Sequence, residues 1–170
     1  MQNDSELSSI KEMALDRLTW SRGLASALFA GVPDDQLTAK AGGKGNHPLW
    51  VMGHIAVSED GLVSAYTGQK LLLSDRMHAL FKGGTEPTDN AADYPSRAEV
   101  IQALETARKK VLDWLQSMDE KSMHQPAPKG LERLAPDAIS TAFTLAMHEL
   151  FHAGQMASVR SALSLPRVFR

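Results

Sequence analysis

The chain has 170 residues, 43% hydrophobic and 22% charged, which predicts one folded domain over residues 1–170. Cysteine is absent, which excludes disulfides, thiolate zinc sites and a cysteine nucleophile. The formal net charge of −2 argues against a nucleic-acid partner, because proteins that bind phosphate backbones usually carry a basic surplus. There is no run of about 18 apolar residues that would predict a membrane span, and the polar N-terminus indicates a cytoplasmic protein.

Four long segments show the apolar spacing of three and four residues that is typical of amphipathic helices. The first predicted helix runs from about Ser5 to Phe29 and ends before Gly31 and Pro33. The second runs from Asn46, a good N-cap residue, to about Tyr66, and Gly68 ends it.

A short helix is predicted over residues 74–82, followed by loop composition over residues 83–95. The third long helix begins at Ser96, where Ser96 and Glu99 fit a capping box, and it ends near Met118. Residues 119–135 hold two prolines and a glycine, which predicts a loop, and the fourth helix runs over residues 136–163.

The predicted fold class is all-α, because no segment has the alternation of a strand and four amphipathic helices suit a four-helix bundle. The link between the second and third helices, from Gly68 to Pro95, is about 28 residues long. A link of that length can cross the bundle and leave these two helices parallel.

The fourth helix carries the strongest chemical signal, which is the pair His148 and His152. Residues four apart lie about 40° apart around a helix, so both imidazoles project from one face. Two buried imidazoles without partners are costly, and one divalent metal ion satisfies both. The alternative is a pair of hydrogen-bonded core histidines.

His54 lies midway along the second helix among apolar residues, where a lone histidine is more often a hydrogen-bonded core residue. Because the fourth helix already offers a pair of histidines, His54 is the predicted third ligand. His47 lies two turns earlier on the same face, where we expect it to line the mouth of a pocket, and His78 and His124 are expected to face solvent. Three neutral imidazoles on Zn²⁺ or Ni²⁺ leave open coordination positions, as catalytic sites require.

Residues 148–152 also match the zinc-protease motif H-E-x-x-H. A protease needs a further ligand downstream, but no Glu, Asp or His follows His152, so this interpretation is disfavoured. Glu149 is then a surface charge, a partner of a ligand or a weak candidate for a catalytic base, and the sequence leaves these three roles open.

Two motifs resemble those of the DinB-like family. Residues 46–56, Asn-His-Pro-Leu-Trp-Val-Met-Gly-His-Ile-Ala, are similar to its second-helix motif, and residues 148–155 are similar to its fourth-helix motif H-x-x-x-H-x-G-Q. The resemblance implies an up-down-down-up four-helix bundle and a metal triad at His54, His148 and His152, with zinc or nickel bound. Characterised relatives include bacillithiol S-transferases and mycothiol-dependent maleylpyruvate isomerases, and many members form dimers.

The sequence and the resemblance together favour a metal-dependent transferase or isomerase that uses a small thiol, with His47, Trp50 and Gln155 lining the pocket. The alternatives are a metal-dependent hydrolase and a non-enzymatic, stress-related protein that binds a metal or a small molecule. A homodimer through the fourth helix is also expected, because this helix is apolar on nearly all sides. Burial of that helix by other parts of the same chain is the alternative.

Overall fold

The computed structural model describes the backbone of residues 2–168 and the side chains of residues 8–168. Within this range the fold is all-helical, with no β-strand. The α-helices are α1 (Gln2–Ala30), α2 (Pro48–Thr67), α3 (Asp75–Phe81), α4 (Arg97–Ser117), α5 (Glu120–Met123) and α6 (Ala138–Ala162). The four long helices are those predicted from the sequence, and their ends lie within three residues of the predicted ones.

Helix starts follow the capping chemistry of the sequence, with two differences. The capping box of Ser96 and Glu99 is present at the start of α4, as predicted. Helix α2 is capped by His47 instead of Asn46, because His47 Nδ1 accepts a hydrogen bond from the Trp50 amide at 3.0 Å. Helix α5 lies in the segment predicted to be a loop, where the Asp119 side chain caps one helical turn.

The long helices pack in two main pairs, α1 with α6 and α2 with α4, and α2 also packs against α6. Between α1 and α6, Ser21 contacts Glu149, and Arg160 donates to the Leu28 carbonyl. This packing brings α2 beside α6, which is the pair of helices that carries the histidines predicted to bind metal.

A buried ionic layer, formed by Ser21, Arg22, Glu59, Arg108 and Glu149, joins all four long helices. On each long helix, residues of one apolar cluster lie before this layer and residues of the other cluster lie after it. The layer therefore divides the core into two apolar halves. Burial acts to lower the pKa of Arg22, but the charges of Glu59 and Glu149 raise it overall. Four charges buried together in this way fix the helices relative to one another, since each charge needs its partners.

Helix α6 is covered partly by its own chain. Ala146 and Ala153 are 3% and 2% exposed, whereas Met147 and Phe151 are each 67% exposed. Part of the apolar surface of α6 is therefore buried within the same chain, which is the alternative to a homodimer interface, and part of it stays exposed. No helix in the described range is long and apolar enough to span a lipid bilayer.

Candidate metal centre

Three histidines from two helices bring their ring nitrogens together. His148 Nε2 lies 3.2 Å from His54 Nε2 on α2 and 3.1 Å from His152 Nε2, one turn further along α6. Among the described residues, these three bring one ligand atom each to within 4.8 Å of one another, which is close enough to hold one metal ion. His54 and His152 are buried, and His148 is partly exposed, which leaves one side of the cluster open.

Hydrogen bonds at the opposite ring nitrogens orient two of these histidines. His54 Nδ1 donates to the Phe81 carbonyl oxygen at 2.7 Å, and His152 Nδ1 donates to Gln155 Oε1 at 3.0 Å. Because both acceptors are oxygen atoms, each ring carries its proton on Nδ1 and directs the Nε2 lone pair to the cluster. Metal-binding histidines are usually held by such hydrogen bonds.

The cluster fits a divalent cation better than it fits a set of hydrogen bonds. The Nε2 lone pairs of His54 and His152 both point at His148 Nε2, which carries at most one proton, so one of the two contacts lacks a hydrogen. Three nitrogens bound tetrahedrally to zinc at about 2.0–2.1 Å would lie about 3.3 Å apart. The separations of His148 Nε2 from the other two nitrogens, 3.1 and 3.2 Å, are close to that value, and all three nitrogens lie within 4.8 Å of one another.

Burial keeps the three imidazoles in the neutral form that binds metal. It lowers the pKa of His54 and His152, and together with the neighbouring histidines it lowers the pKa of His148 to about 4. All three are therefore neutral near pH 7, and no proton has to be removed from them before a metal binds.

Trp50 and Gln155, predicted to line the pocket, contact the histidines directly, but neither is among the residues that line the open cavity beside the cluster. The Trp50 ring stacks on His54 with centroids 4.7 Å apart and an angle of 9° between the planes. Its Nε1 donates to Thr85 Oγ1 at 3.0 Å, and Asn46 Nδ2 donates to Gln155 Oε1 at 3.1 Å. Both side chains are thus fixed themselves, and they limit the movement of the rings that they contact.

Gly53 has a role that the sequence reasoning missed. A Cβ atom at this position would lie 2.5 Å from the Phe81 ring, so only glycine lets α3 pack this closely against α2. Phe81 supplies the carbonyl that orients His54. The available signal was a glycine in a helix interior, which costs stability and usually has a packing reason.

Gly53→Ala is therefore expected to lower the free energy of unfolding by about 1–3 kcal/mol, because it overpacks the contact with Phe81. It should also weaken zinc binding, since the ring movement displaces the carbonyl that holds His54. Gly61→Ala on the same helix is the control, because a Cβ there meets nothing within 4 Å. Denaturant unfolding and zinc titration of both variants test this, and equal effects would contradict it.

His47 does not line a pocket, in contrast to the prediction. It is 0% exposed, its ring meets Tyr94 edge-on at 4.8 Å, and its Nδ1 caps α2. The physical reason is that the cap turns the imidazole into the chain interior. Burial, followed by the charge of Lys40, lowers the pKa of His47 to about 4.

His47 should make stability depend on pH. Its folded-state pKa of about 4 lies below the ordinary value of 6.5, so the unfolded chain binds more protons between these values. Neutral His47 therefore contributes about 3 kcal/mol to the free energy of unfolding above about pH 6.5, and this contribution is lost as the pH falls toward 4. His47→Asn, which can still cap α2, should lose less stability over this range in urea unfolding. An unchanged pH profile would contradict the assignment.

The two remaining histidines differ in position. His124 is exposed, as predicted, with 65% of its side chain accessible. The prediction that His78 faces solvent is wrong, because only 20% of its side chain is exposed and its Nε2 lies 3.0 Å from Asp60 Oδ2. Asp60 also accepts from Lys110 at 2.6 Å and from backbone amides, and this buried carboxylate holds α3 in place.

Glu149 lies in the ionic layer, away from the convergent ring nitrogens. It is 0% exposed, so a role as a surface charge is wrong. Its carboxylate accepts from Arg22 at 2.5 Å, Arg108 at 2.8 Å and Ser21 at 2.6 Å. Both of its oxygens are occupied by these donors, which leaves Glu149 poorly placed to take a proton from a substrate at the cluster.

An open cavity of about 680 Å³ adjoins the histidine cluster. Two of the three histidines, His54 and His148, contribute to its lining. The cavity is in the size range of small-molecule sites, so a molecule bound there would reach the exposed side of the cluster.

A profile of the DinB superfamily matches residues 17–156 of this chain. The match includes all three histidines of the cluster and both sequence motifs that carry the resemblance. No curated protein matches the chain. Because the profile covers well over half of its residues, the chain belongs to the DinB superfamily.

Proposed function

We propose that the protein binds one divalent metal ion, Zn²⁺ or Ni²⁺, through His54, His148 and His152. We further propose that it uses the bound metal to promote a transfer or isomerisation reaction that depends on a small thiol. The observation that carries the proposal is the convergence of three neutral imidazoles, two of them oriented by hydrogen bonds, beside an open cavity. Three protein ligands leave room for an exogenous ligand, as in catalytic metal sites.

The surroundings of the cluster favour a thiol over water as the reacting group. A metal held by neutral ligands favours the thiolate form of a bound thiol, so such a reaction needs no strong base from the protein. Hydrolysis would need a base, but no Asp or Glu is among the described residues that line the cavity, and Glu149 pairs with two arginines. With no cysteine in the chain, the thiol comes from solution.

The test is turnover of an activated aryl chloride by the zinc- and nickel-loaded protein, with and without cysteine as the thiol. We expect a rate above background only when metal and thiol are both present, and background rates for His152→Ala. A rate that does not depend on thiol would contradict this proposal and indicate a metal-dependent hydrolase. Tight binding of the thiol, without turnover of any electrophile in a wider panel, would instead indicate a non-enzymatic protein that binds a metal or a small molecule.

We also propose the up-down-down-up order of helices that the family resemblance implies. In the α2–α4 pair, Glu59 contacts Arg108 and Tyr66 contacts Trp114, so these two helices are parallel. Helices α2 and α6 run in opposite senses, since Tyr66 contacts Thr141 near the start of α6. Helices α1 and α6 are also parallel, since Ser21 contacts Glu149 and Leu28 contacts Arg160. The parallel α2–α4 pair supports a crossover by the link between those two helices.

A homodimer through α6 is a further part of the proposal. Met147 and Phe151 are each 67% exposed and lie four residues apart, and Trp20 and Met13 on neighbouring α1 are 54% and 61% exposed. Exposed apolar patches of this kind often mark protein interfaces. Phe151→Lys should therefore give a monomer in sedimentation analysis, whereas Leu72→Lys, at a site 57% exposed on another face, should not. A monomeric wild-type protein at micromolar concentration would contradict the dimer.

A further inference from the structure

We infer that the cavity beside the metal centre binds a small molecule with an apolar body and an anionic group, and that Lys82 and Lys129 bind the anionic group. This rests on the proposed function, since it names the class of substrate or thiol that the site would take. The inference draws on the composition of the cavity lining, on the position of each charge in it and on its contact with the histidine cluster.

The cavity is built from parts of the chain that are far apart in sequence. His54 and His148 are part of its lining, and the other lining residues come from α2, from the end of α3 with the following turn, from the link before α6 and from α6 itself. His152 is not part of the lining. A ligand in the cavity would therefore reach the metal from the side of His54 and His148.

The charged side chains that line the cavity are positive. Lys82 and Lys129 are its charged residues apart from the histidines, and no Asp or Glu is among the described residues that line it. The carboxylate behind His78 is that of Asp60, which is 0% exposed and pairs with Lys110 at 2.6 Å. A divalent ion on three neutral histidines adds positive charge, so the cavity attracts anions.

The rest of the lining is largely apolar. It includes the aliphatic side chains of Val57, Leu62, Leu131, Leu134 and Leu145. Leu134 is 51% exposed, so a bound molecule would cover apolar surface that water now contacts. At about 680 Å³ the cavity has space for a small organic molecule and not for a folded partner.

Lys82 and Lys129 reach this cavity from two different parts of the chain. Lys82 follows α3 directly and is next to Gly83, where an added Cβ atom would lie 3.8 Å from the His54 ring, while Lys129 lies in the link between α5 and α6. Both ammonium groups are at the surface, where each can bind a carboxylate that enters with the apolar part inward. The ligand class is therefore an aliphatic or aromatic carboxylate, with its metal-binding atom at the other end.

The experiment compares three thiols that differ only in their far end: mercaptohexanoate, mercaptohexanol and aminohexanethiol. Each is titrated into the cobalt-loaded protein, where a thiolate-to-cobalt charge-transfer band reports binding. We expect mercaptohexanoate to bind about tenfold more tightly than mercaptohexanol, because two surface lysines can pair with its carboxylate. Aminohexanethiol should bind most weakly, and high salt should reduce the differences.

The double variant Lys82→Gln/Lys129→Gln should lose the preference for the carboxylate and keep the affinity for mercaptohexanol. The matched control is Lys44→Gln/Lys121→Gln, which removes two exposed lysines that do not line the cavity. Equal affinity of the wild type for the acid and the alcohol, or a preference that survives in the double variant, would overturn the inference while leaving the proposed function intact.

A second titration separates this inference from the thiol chemistry. Calorimetry of the zinc-loaded protein with octanoate and with octanol involves no thiol, and we again expect the carboxylate to bind more tightly through Lys82 and Lys129. If no thiol produces the charge-transfer band but octanoate binds in this way, the thiol function is wrong and the inference about the cavity stands. If octanoate binds no better than octanol, the inference is wrong.

Discussion

His152→Ala is expected to weaken zinc binding by more than about a hundredfold. The reason is that His152 supplies one of three ring nitrogens that converge within 4.8 Å of one another. Zinc sites with four ligands contribute about 10–16 kcal/mol of binding free energy, so one ligand corresponds to about 2.5–4 kcal/mol. Competition titration with a chromophoric chelator measures the affinity. Zinc should also raise the unfolding temperature of the wild type and leave that of the variant nearly unchanged.

Two further variants make the result specific to the cluster. His124→Ala removes an exposed histidine outside the cluster and should bind zinc as the wild type does. Gln155→Ala removes the acceptor for His152 Nδ1 and should weaken binding by about 10–100-fold, which lies between the other two variants. Wild-type zinc affinity in His152→Ala would show that the three histidines do not form a metal site.

The parts of the site that were predicted from sequence are those that depend on local periodicity. His148 and His152 share a face because they are one turn apart, and His54 was identified because a histidine in an apolar stretch of helix needs a partner. The four long helices were predicted for the same reason, since apolar spacing and caps act within a few residues.

The parts that were missed depend on contacts between distant segments. Nothing near His54 in sequence shows that the Phe81 carbonyl orients it, or that Gly53 makes room for the Phe81 ring. His78 was assigned to solvent because its partner, Asp60, lies 18 residues away on another helix. Such contacts are set by how helices and links pack, which a local pattern does not contain.

Glu149 shows the same limit and links the metal centre to the core. It is adjacent to His148 in sequence, but one residue further along α6 rotates the side chain by about 100°, away from the cluster. It therefore points toward α1 and α4, where it meets Ser21, Arg22 and Arg108. This ionic layer therefore fixes the rotation of α6 about its axis and its position along that axis. It thereby also fixes the positions of His148 and His152.

Glu149→Gln is accordingly expected to lower the free energy of unfolding by about 3–5 kcal/mol, because it leaves Arg22 and Arg108 with Glu59 as the remaining carboxylate. For a chain of this size the unfolding temperature should fall by roughly 10 °C or more. Zinc affinity should fall by a smaller factor than in His152→Ala, because no ligand is lost and only the position of α6 is relaxed. Urea unfolding and zinc titration of the same preparation measure both effects.

The control for Glu149→Gln is Asp113→Asn, which neutralises a carboxylate in the exposed pair with Lys109 on α4. Exposed pairs of this kind are worth about 0.3–0.5 kcal/mol, so this variant should unfold almost as the wild type does. Glu149→Gln with wild-type stability and zinc affinity but no thiol-dependent turnover would show that Glu149 is a catalytic base after all. Loss of stability in Glu149→Gln, with turnover retained in the fraction that stays folded, would establish its structural role, since a base cannot be replaced by an amide without loss of the reaction it supports.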